Sequence, residues 1–485
     1  MRTVLGVEEV RAAEAAAMQR MPEGALMARA AAGLATACSG LLGGTYGRRV
    51  VVLAGPGSNG GDALYAGAQL ARRGASVTAV ALTDSPHPGG MAALRAAGGR
   101  QAPALNAELL ADADLAIDGI LGIGARPGLS GAAADWAAAL DAAAVTVVAC
   151  DLPSGLDPDT GEAPGPHVRV DLTVTFGTLK PCLVLDPGAG AAGAVEVVDI
   201  GLDLPPVTPA APFAAVGLDD LAALLPHVPR ESDKYSRGVA GLVTGSTQYP
   251  GAGLLSTAGA RSGLAGMIRF VGAAELGYTV ATRFPDVVPQ EPDHLGRVQA
   301  WVFGSGAGAG DPTVPVARLL EDGVPLLIDA DGLTHLPAPQ DRPEGARLLL
   351  TPHAGELARL LDVDRTEIEA HRLRYAREAA ELLEATVLLK GATTVVAAPD
   401  GRARVPTVAA PPWLATAGSG DVLSGLTGSL LAAGLAPLEA GITGAVLHAA
   451  AGRVAAGEPA GPITAWMLAE ALPAALRLAV GAEVG

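Results

Sequence analysis

The run Gly418-Ser419-Gly420-Asp421, followed by apolar Val422-Leu423, has residue types in an order that can hold and transfer a phosphoryl group. Backbone N–H groups of a Gly-Ser-Gly turn that opens a helix form an anion hole. An Asp at the start of that helix lies beside the anion and can accept a proton from an attacking hydroxyl. The same residues also fit a plain helix start with Asp421 as its cap. Four further segments give the chemical reading its weight: Gly304-Ser305-Gly306-Ala307-Gly308, Asp329-Ala330-Asp331-Gly332, Thr351-Pro352-His353-Ala354-Gly355-Glu356 and Lys390-Gly391-Ala392-Thr393-Thr394. Taken singly, His353 is a loop histidine, Lys390 a surface lysine and Asp329 a turn cap.

A second set lies in the first half of the chain. Gly55-Pro56-Gly57-Ser58-Asn59-Gly60-Gly61-Asp62 lets backbone N–H groups approach a phosphate at a helix start. Asp118-Gly119-Ile120-Leu121-Gly122-Ile123-Gly124-Ala125-Arg126-Pro127-Gly128 is another close-approach loop with one cation. Asp151-Leu152-Pro153-Ser154-Gly155-Leu156-Asp157 and Thr175-Phe176-Gly177-Thr178-Leu179-Lys180 complete the set. A glycine-rich turn after a strand is often only a turn, and a lysine at a strand end is usually solvated. Four such segments in this order are harder to dismiss.

The elements that must position them can be read from apolar runs. Residues 8–42 have helical spacing, broken at Pro22 and Gly24. RRVVVLA, SVTAVAL, LAIDG, TVVAC, DLTVTFG and AVEVVDIG read as strands between helical stretches, without polar alternation. That pattern predicts a parallel sheet covered on both faces, a Rossmann-like three-layer α/β domain. Residues 203–216 hold four prolines and little periodicity, and the linker is placed at 208–219. Beyond it GVAGLVTGS, GMIRFVG, AWVFGSGAG, PLLIDADGL, RLLLTPHAG and ATVLLKGATTVVA read again as strands, followed from Asp421 by a glycine-punctuated helical tail. The site segments then fall at the carboxyl ends of strands, where open α/β sheets bind ligands.

Bulk properties narrow the class. The net charge of −17 disfavours nucleic acid and anionic membranes as partners, and 3% aromatics supply no stacking platform for single strands. Half the residues are hydrophobic, but much of that is alanine, and no stretch of about 20 strongly apolar residues is free of charge. Glu8 and Glu9 stand where a signal peptide needs an apolar run. Three cysteines (Cys38, Cys150 and Cys182) without a Cys-x-x-Cys pair argue against a disulfide framework or a zinc site. The expectation is a cytoplasmic small-molecule enzyme and a homo-oligomer.

The first set of motifs resembles the epimerase domain of the bifunctional NAD(P)H-hydrate repair enzymes, the YjeF-like family, over roughly residues 1–205. The resemblance implies that Ser58, Asn59, Gly60, Gly61, Asp62 and Gly122 to Gly128 contact the hydrated nucleotide. It also implies that Asp151 faces the nicotinamide as the catalytic carboxylate and that Asn59, Asp118 and Ser154 hold a potassium ion. Ser58 stands where the family usually has Asn, and Ala63 where Gly is common. The second set resembles the ADP-dependent dehydratase domain of the same family, a ribokinase-like three-layer α/β fold, over roughly 220–485. Here the resemblance implies Ala252, Gly308, His353 and Asp421 around the hydrate. Lys390, Gly391, Ala392, Thr393, Thr394, Gly418, Ser419 and Gly420 would bind the adenine nucleotide, with Asp421 as the base. Ser246, Tyr249 and Gly251 match a further family stretch, while Ala354 replaces a usual proline. The implied domains are an epimerase over 1–207 and a dehydratase over 220–485. Their substrates would be hydrated NADH and NADPH (NADHX and NADPHX), with ADP as phosphoryl donor, Mg2+ and K+. Two other readings stay open: a ribokinase-class kinase of a vitamin precursor, and a nucleotide-sensing module whose first half binds without turnover.

Overall fold

The computed structural model describes residues 1–261, 264–308, 310 and 312–481, and the chain divides into two compact units, 2–207 and 208–485 together with Met1. The last residues of the expected dehydratase span, 482–485, lie outside the described residues. Each unit is described by itself.

The first unit is built on a sheet of seven strands, all paired in parallel. In spatial order these are Arg100–Ala102, Ser76–Ala81, Arg49–Ala54, Leu115–Gly119, Thr146–Cys150, Leu172–Phe176 and Ala194–Val198. The pleat sends alternate residues of one strand to opposite faces. Val50, Val52 and Ala54 accordingly join one core with the helices Ala25–Leu41 and Ser58–Arg72, while Val51 and Leu53 join another with Trp136 and Leu140 of helix Ala132–Ala142. Burying a valine or leucine in this way contributes about 1.5–3 kcal/mol. Two apolar faces explain why these strands lack polar alternation. Cys38, Cys150 and Cys182 are buried free thiols.

The second unit carries the longer sheet. Outward from its centre, Ala300–Phe303 pairs with Val239–Val243, then Met267–Val271 and Val287–Gln290 follow. On the other side come Leu326–Ile328, Leu348–Leu350 and Thr386–Leu389, all parallel. Strand Val395–Ala397 runs antiparallel to its neighbours on either side, and Ala403–Pro406 then pairs in parallel with Phe213–Val216. One expectation is corrected here. The stretch 208–219 is not a free linker, because Phe213–Val216 is a sheet strand and Leu218–Asp220 a helical turn. The sheet is not parallel throughout, since a hairpin over Thr386–Ala397 reverses direction. The tail resolves into helices Ser419–Ala432, Pro437–Ala456 and Ala465–Ala479. Among the described residues no helix is long and apolar enough to cross a membrane.

Candidate functional site

In the first unit the strand order reverses at Arg49–Ala54, which pairs with Ser76–Ala81 on one side and Leu115–Gly119 on the other. The crevice at that switch point is where α/β sheets take ligands, and the motif loops open onto it. The glycine loop turns too sharply for side chains. A Cβ on Gly55 would strike the Ile120 carbonyl, and one on Gly60 would strike the Gly55 carbonyl. Helix Ser58–Arg72 starts there, with Ser58 exposed and Asn59, Gly60 and Gly61 buried. Asn59 donates Nδ2–H to the Leu121 carbonyl at 2.8 Å.

Asp118 is fully buried. Its Oδ1 accepts from Ser154 Oγ at 2.7 Å and Ile120 N at 3.2 Å, and its Oδ2 accepts from Ser154 N at 2.8 Å. Burial pushes this carboxyl up to about 6, against the pull of those donors. Asn59, Asp118 and Ser154 are thus one group around the Leu121 carbonyl, which also lies 3.2 Å from Ser154 Oγ. The turn of Gly122, Ile123, Gly124, Ala125, Arg126, Pro127 and Gly128 forms the more open wall, tied down by Gly128 N–H donating to Gly155 O at 2.8 Å.

Asp151 adopts a left-handed backbone (φ 68°), unusual for a residue with a side chain, so the strand end is held under strain at this carboxylate. Its Oδ1 accepts from Lys180 Nζ at 2.5 Å, Thr175 Oγ1 at 3.0 Å and Phe176 N at 3.2 Å. Lys180, the last residue of the fourth segment of the first set, is 1% exposed and not the solvated lysine its position alone would suggest. Thr175 and Lys180 belong to the site, and only their place at the end of an apolar strand hinted at it. Asp62 projects from the same helix start, with its Oδ1 buried.

The second unit repeats the logic with other residues. Val239–Val243 pairs with Met267–Val271 on one side and Ala300–Phe303 on the other, so the order reverses there too. Gly306 packs against Ala252 and Tyr249, and Gly308 N–H donates to Asp331 Oδ2 at 2.9 Å. Asp329 is the buried hub of the site. Its Oδ1 accepts from Lys390 Nζ at 2.7 Å and Thr351 Oγ1 at 2.8 Å, and its Oδ2 from Ser305 Oγ at 2.9 Å and Ser424 Oγ at 2.7 Å. Burial alone would raise this carboxyl, but Lys390 and the Ser424 and Thr351 hydroxyls hold it below the usual range. Lys390 is held above its own range because Asp329, Glu356 and Asp421 outweigh the effect of its burial.

Helix Ser419–Ala432 starts behind Gly418, which is left-handed at φ 87°, and it places Ser419, Gly420 and Asp421 in its first turn. Ser419 N–H makes a long bond to the Thr416 carbonyl at 3.3 Å, and the helix-terminal N–H groups that follow it can take an anion. A side chain on Gly420 would begin 3.6 Å from Lys390 Nζ. Burial and then the charge of Asp329 push Asp421 up to about 6, while Lys390 and the Ser305 hydroxyl pull the other way. His448 Nε2–H donates to the Ser419 carbonyl at 2.9 Å and braces the turn from behind; burial drops its ring to about 4, so it is neutral.

His353 caps helix Ala354–Leu361: its Nδ1 accepts from Glu356 N at 3.1 Å, and its own N–H donates to Glu356 Oε2 at 2.7 Å. The side chain is 57% exposed, facing outward beside Lys390, with which His353 forms a backbone bridge. Gly391, Ala392, Thr393 and Thr394 form the open turn of the hairpin, backed by Arg372, which donates to the Leu389 and Lys390 carbonyls at 3.2 and 2.9 Å. Sequence reasoning gave no role to Ser424 and missed Arg372 and His448. Each acts from inside a helix, where nothing local marks it.

Two α/β units, each with a glycine-rich cradle and a buried lysine–carboxylate pair at the strand ends, define an enzyme of nucleotide chemistry. A family model described as NAD(P)H-hydrate dehydratase matches residues 240–474, and one described as YjeF-related protein N-terminus matches residues 23–182. The bifunctional NAD(P)H-hydrate repair enzyme Nnr of Mycobacterium tuberculosis is 45% identical over 444 residues, 90% of each chain. That of Mycobacterium leprae is 44% identical over 470 residues, 95% of each chain. Among solved structures, the ADP/ATP-dependent NAD(P)H-hydrate dehydratase of Bacillus subtilis, co-crystallised with ATP and Mg2+, is 27% identical with a TM-score of 0.50, over 54% of this chain and 97% of that one. The chain belongs to the family of bifunctional NAD(P)H-hydrate repair enzymes, and its second unit has the ribokinase-like dehydratase fold. With that, the vitamin-precursor kinase and the sensing module fall away.

Proposed function

We propose that the two sites repair hydrated NADH and NADPH in sequence, the first interconverting the R and S hydrates and the second dehydrating the S hydrate. The observation that carries the reading is Asp421, a carboxylate raised to about 6 in the first turn of a helix whose N-terminus faces Lys390. Hydroxide leaves carbon poorly. Asp421 takes the proton of the substrate hydroxyl, whose oxygen attacks the terminal phosphorus of ADP, and AMP departs. The hydrate then carries a phosphate ester. The ring nitrogen's lone pair expels inorganic phosphate, and loss of a proton from the neighbouring carbon restores the dihydronicotinamide. The N–H groups of Gly418, Ser419 and Gly420 cradle the transferred phosphoryl, and Lys390 to Thr394 contact the nucleotide. Ala252, Gly308 and His353 line the hydrate pocket. No group of three metal-ligating side chains occurs among the described residues, which fits a Mg2+ held mainly by the nucleotide's own phosphates, as this ion prefers. There it would neutralise the transferring charge.

In the first unit the nitrogen lone pair expels hydroxide to leave a flat cation, and water adds back at the same carbon. Asp151 stabilises that cation and handles the proton, while Ser58 to Asp62 and Gly122 to Gly128 hold the nucleotide. A potassium ion fits beside Asn59, Asp118 and Ser154. Their oxygens suit a hard cation, and among the described residues no Lys or Arg acts on the fully buried Asp118 carboxylate. The ion would supply the missing positive charge. The buried free cysteines accord with a cytoplasmic, reducing compartment. Homo-oligomeric assembly belongs to the same reading and is tested by the mass of the full chain in solution. The deciding assay supplies mixed hydrate epimers with ADP, Mg2+ and K+ and follows the absorbance of restored NADH. Complete conversion is expected. Conversion that stops at the S fraction refutes the epimerase, and no conversion refutes the dehydratase.

A further inference from the structure

The two carboxylates at the first site are treated very differently by their surroundings. Asp151 Oδ1 is saturated by the Lys180 ammonium, the Thr175 hydroxyl and the Phe176 N–H. Lys180 is itself fixed by Thr175 Oγ1 at 2.9 Å and the Phe176 carbonyl at 3.0 Å. Three donors, one of them an ammonium, leave Oδ1 of Asp151 fully engaged.

Asp62 receives nothing comparable. Its Oδ1 is buried and has no hydrogen-bond partner among the described residues. It is held firmly in that position. The helix that carries it is fastened to the ends of two neighbouring strands, where the Cys150 thiol donates to the Asn59 carbonyl at 3.6 Å and the Ala63 methyl fills the space a Gly119 side chain would need. The charged groups that act on Asp62 are both negative, Asp151 from the strand end and Glu14 from helix Val7–Met18. Burial first, then Asp151 and Glu14, hold its carboxyl well above the carboxylate range. A buried acid with an unused oxygen is thus set within the field of a lysine-bound carboxylate. Paired carboxyl groups whose surroundings push their protonation apart divide acid and base work between them.

We propose that Asp62 is the acid partner of Asp151 in the epimerisation. The step balances. Asp62 gives its proton to the ring hydroxyl as the carbon–oxygen bond breaks, so that water leaves and the ring nitrogen's lone pair forms the cation. A water then bonds to the same carbon and loses a proton to Asp151. The pair ends with one proton, as it began, now on Asp151. The reverse direction uses the opposite roles, which an enzyme interconverting two epimers requires. This inference rests on the epimerase reading above.

The test uses the full chain with the pure R hydrate and constant K+, following the approach to the epimer mixture across pH. The parent is expected to lose kcat at high pH as the acid is deprotonated. Asp62→Asn is expected to lower kcat by a hundredfold or more, with KM moved less than tenfold and the high-pH fall abolished. Asp62→Glu is expected to recover part of kcat with the high-pH fall displaced. If the parent does not epimerise at all, the epimerase reading itself fails. If the parent epimerises and Asp62→Asn keeps its rate or the same high-pH fall, only the acid role is overturned. Should Asp62→Asn not fold, a folded but inactive Asp62→Glu overturns it equally.

Discussion

Replacing Asp421 with Asn is expected to stabilise the second unit while destroying its chemistry. The carboxyl rises from its ordinary 3.8 to about 6 because it is buried near Asp329. That difference corresponds to about 3 kcal/mol by which folding favours the neutral form. The side chain is only partly buried, so solvent screening trims the figure to about 1–2 kcal/mol. The sign follows from linkage. A carboxyl whose folded value lies above its unfolded value costs nothing below about 3.8 and its full penalty above about 6. Asparagine removes that penalty, so the variant gains stability at pH 8 and gains almost nothing near pH 4. Urea melts of the full chain at both pH values read this as a shift of the second unit's midpoint. Dehydratase turnover, assayed with the S hydrate and ADP, should fall a hundredfold to ten-thousandfold with the loss of the base. In the parent the rate should rise through pH 6 and level off above pH 7. Equal stability changes at pH 4 and pH 8 would refute the electrostatic reasoning. Undiminished turnover would refute the base.

Three other outcomes follow from the same structure. Lys390→Met strands the buried Asp329 carboxylate and should cost the second unit about 3–5 kcal/mol in urea unfolding; adding Asp329→Asn should restore much of the stability but none of the turnover. Gly418→Ala places a methyl against Leu255 in a left-handed residue, so nucleotide affinity by calorimetry should fall at least tenfold and stability by about 1–3 kcal/mol. Exchanging K+ for tetramethylammonium should slow epimerisation and leave dehydration of pure S hydrate unchanged, which a coupled NADH assay separates.

The sequence was most legible where local signals agree with the tertiary result. An apolar run, a glycine turn and a helix start mark the strand ends, so Asn59, Asp118, Asp151 and Asp329 could be placed there without a structure, and Asp421 at a helix start. It was least legible where partners are distant. Phe213–Val216 is only Phe-Ala-Ala-Val among prolines, and it becomes a strand because Ala403–Pro406 lies alongside, nearly two hundred residues later. The Lys390-Gly391 turn announces a loop but not that the next strand folds back antiparallel. Strand Val287–Gln290 is hidden by its own proline, which sits near a sheet edge where a missing N–H is tolerated. The strand end puts Lys180 in the site set, but nothing near it reveals Asp151, its partner across two strand ends.

Both units solve one electrostatic problem in the same way. A site that must hold several carboxylates near an anionic substrate cannot leave them all charged, because burial and mutual repulsion would cost too much. In each unit one lysine is committed to one Asp, Lys180 to Asp151 and Lys390 to Asp329, and a second carboxyl is left to rise, Asp62 in the first and Asp421 in the second. The pairs then differ in what they leave open. Asp329 accepts four hydrogen bonds on its two oxygens and is fully enclosed, so it can only hold Lys390 in place. All of Asp151's bonds fall on Oδ1, which leaves Oδ2 for a substrate. The same charge pattern therefore makes the lysine-bound carboxylate a support in the phosphoryl-transfer site and a working group in the epimerisation site. In both, the carboxyl without a lysine of its own is the one held above its ordinary range.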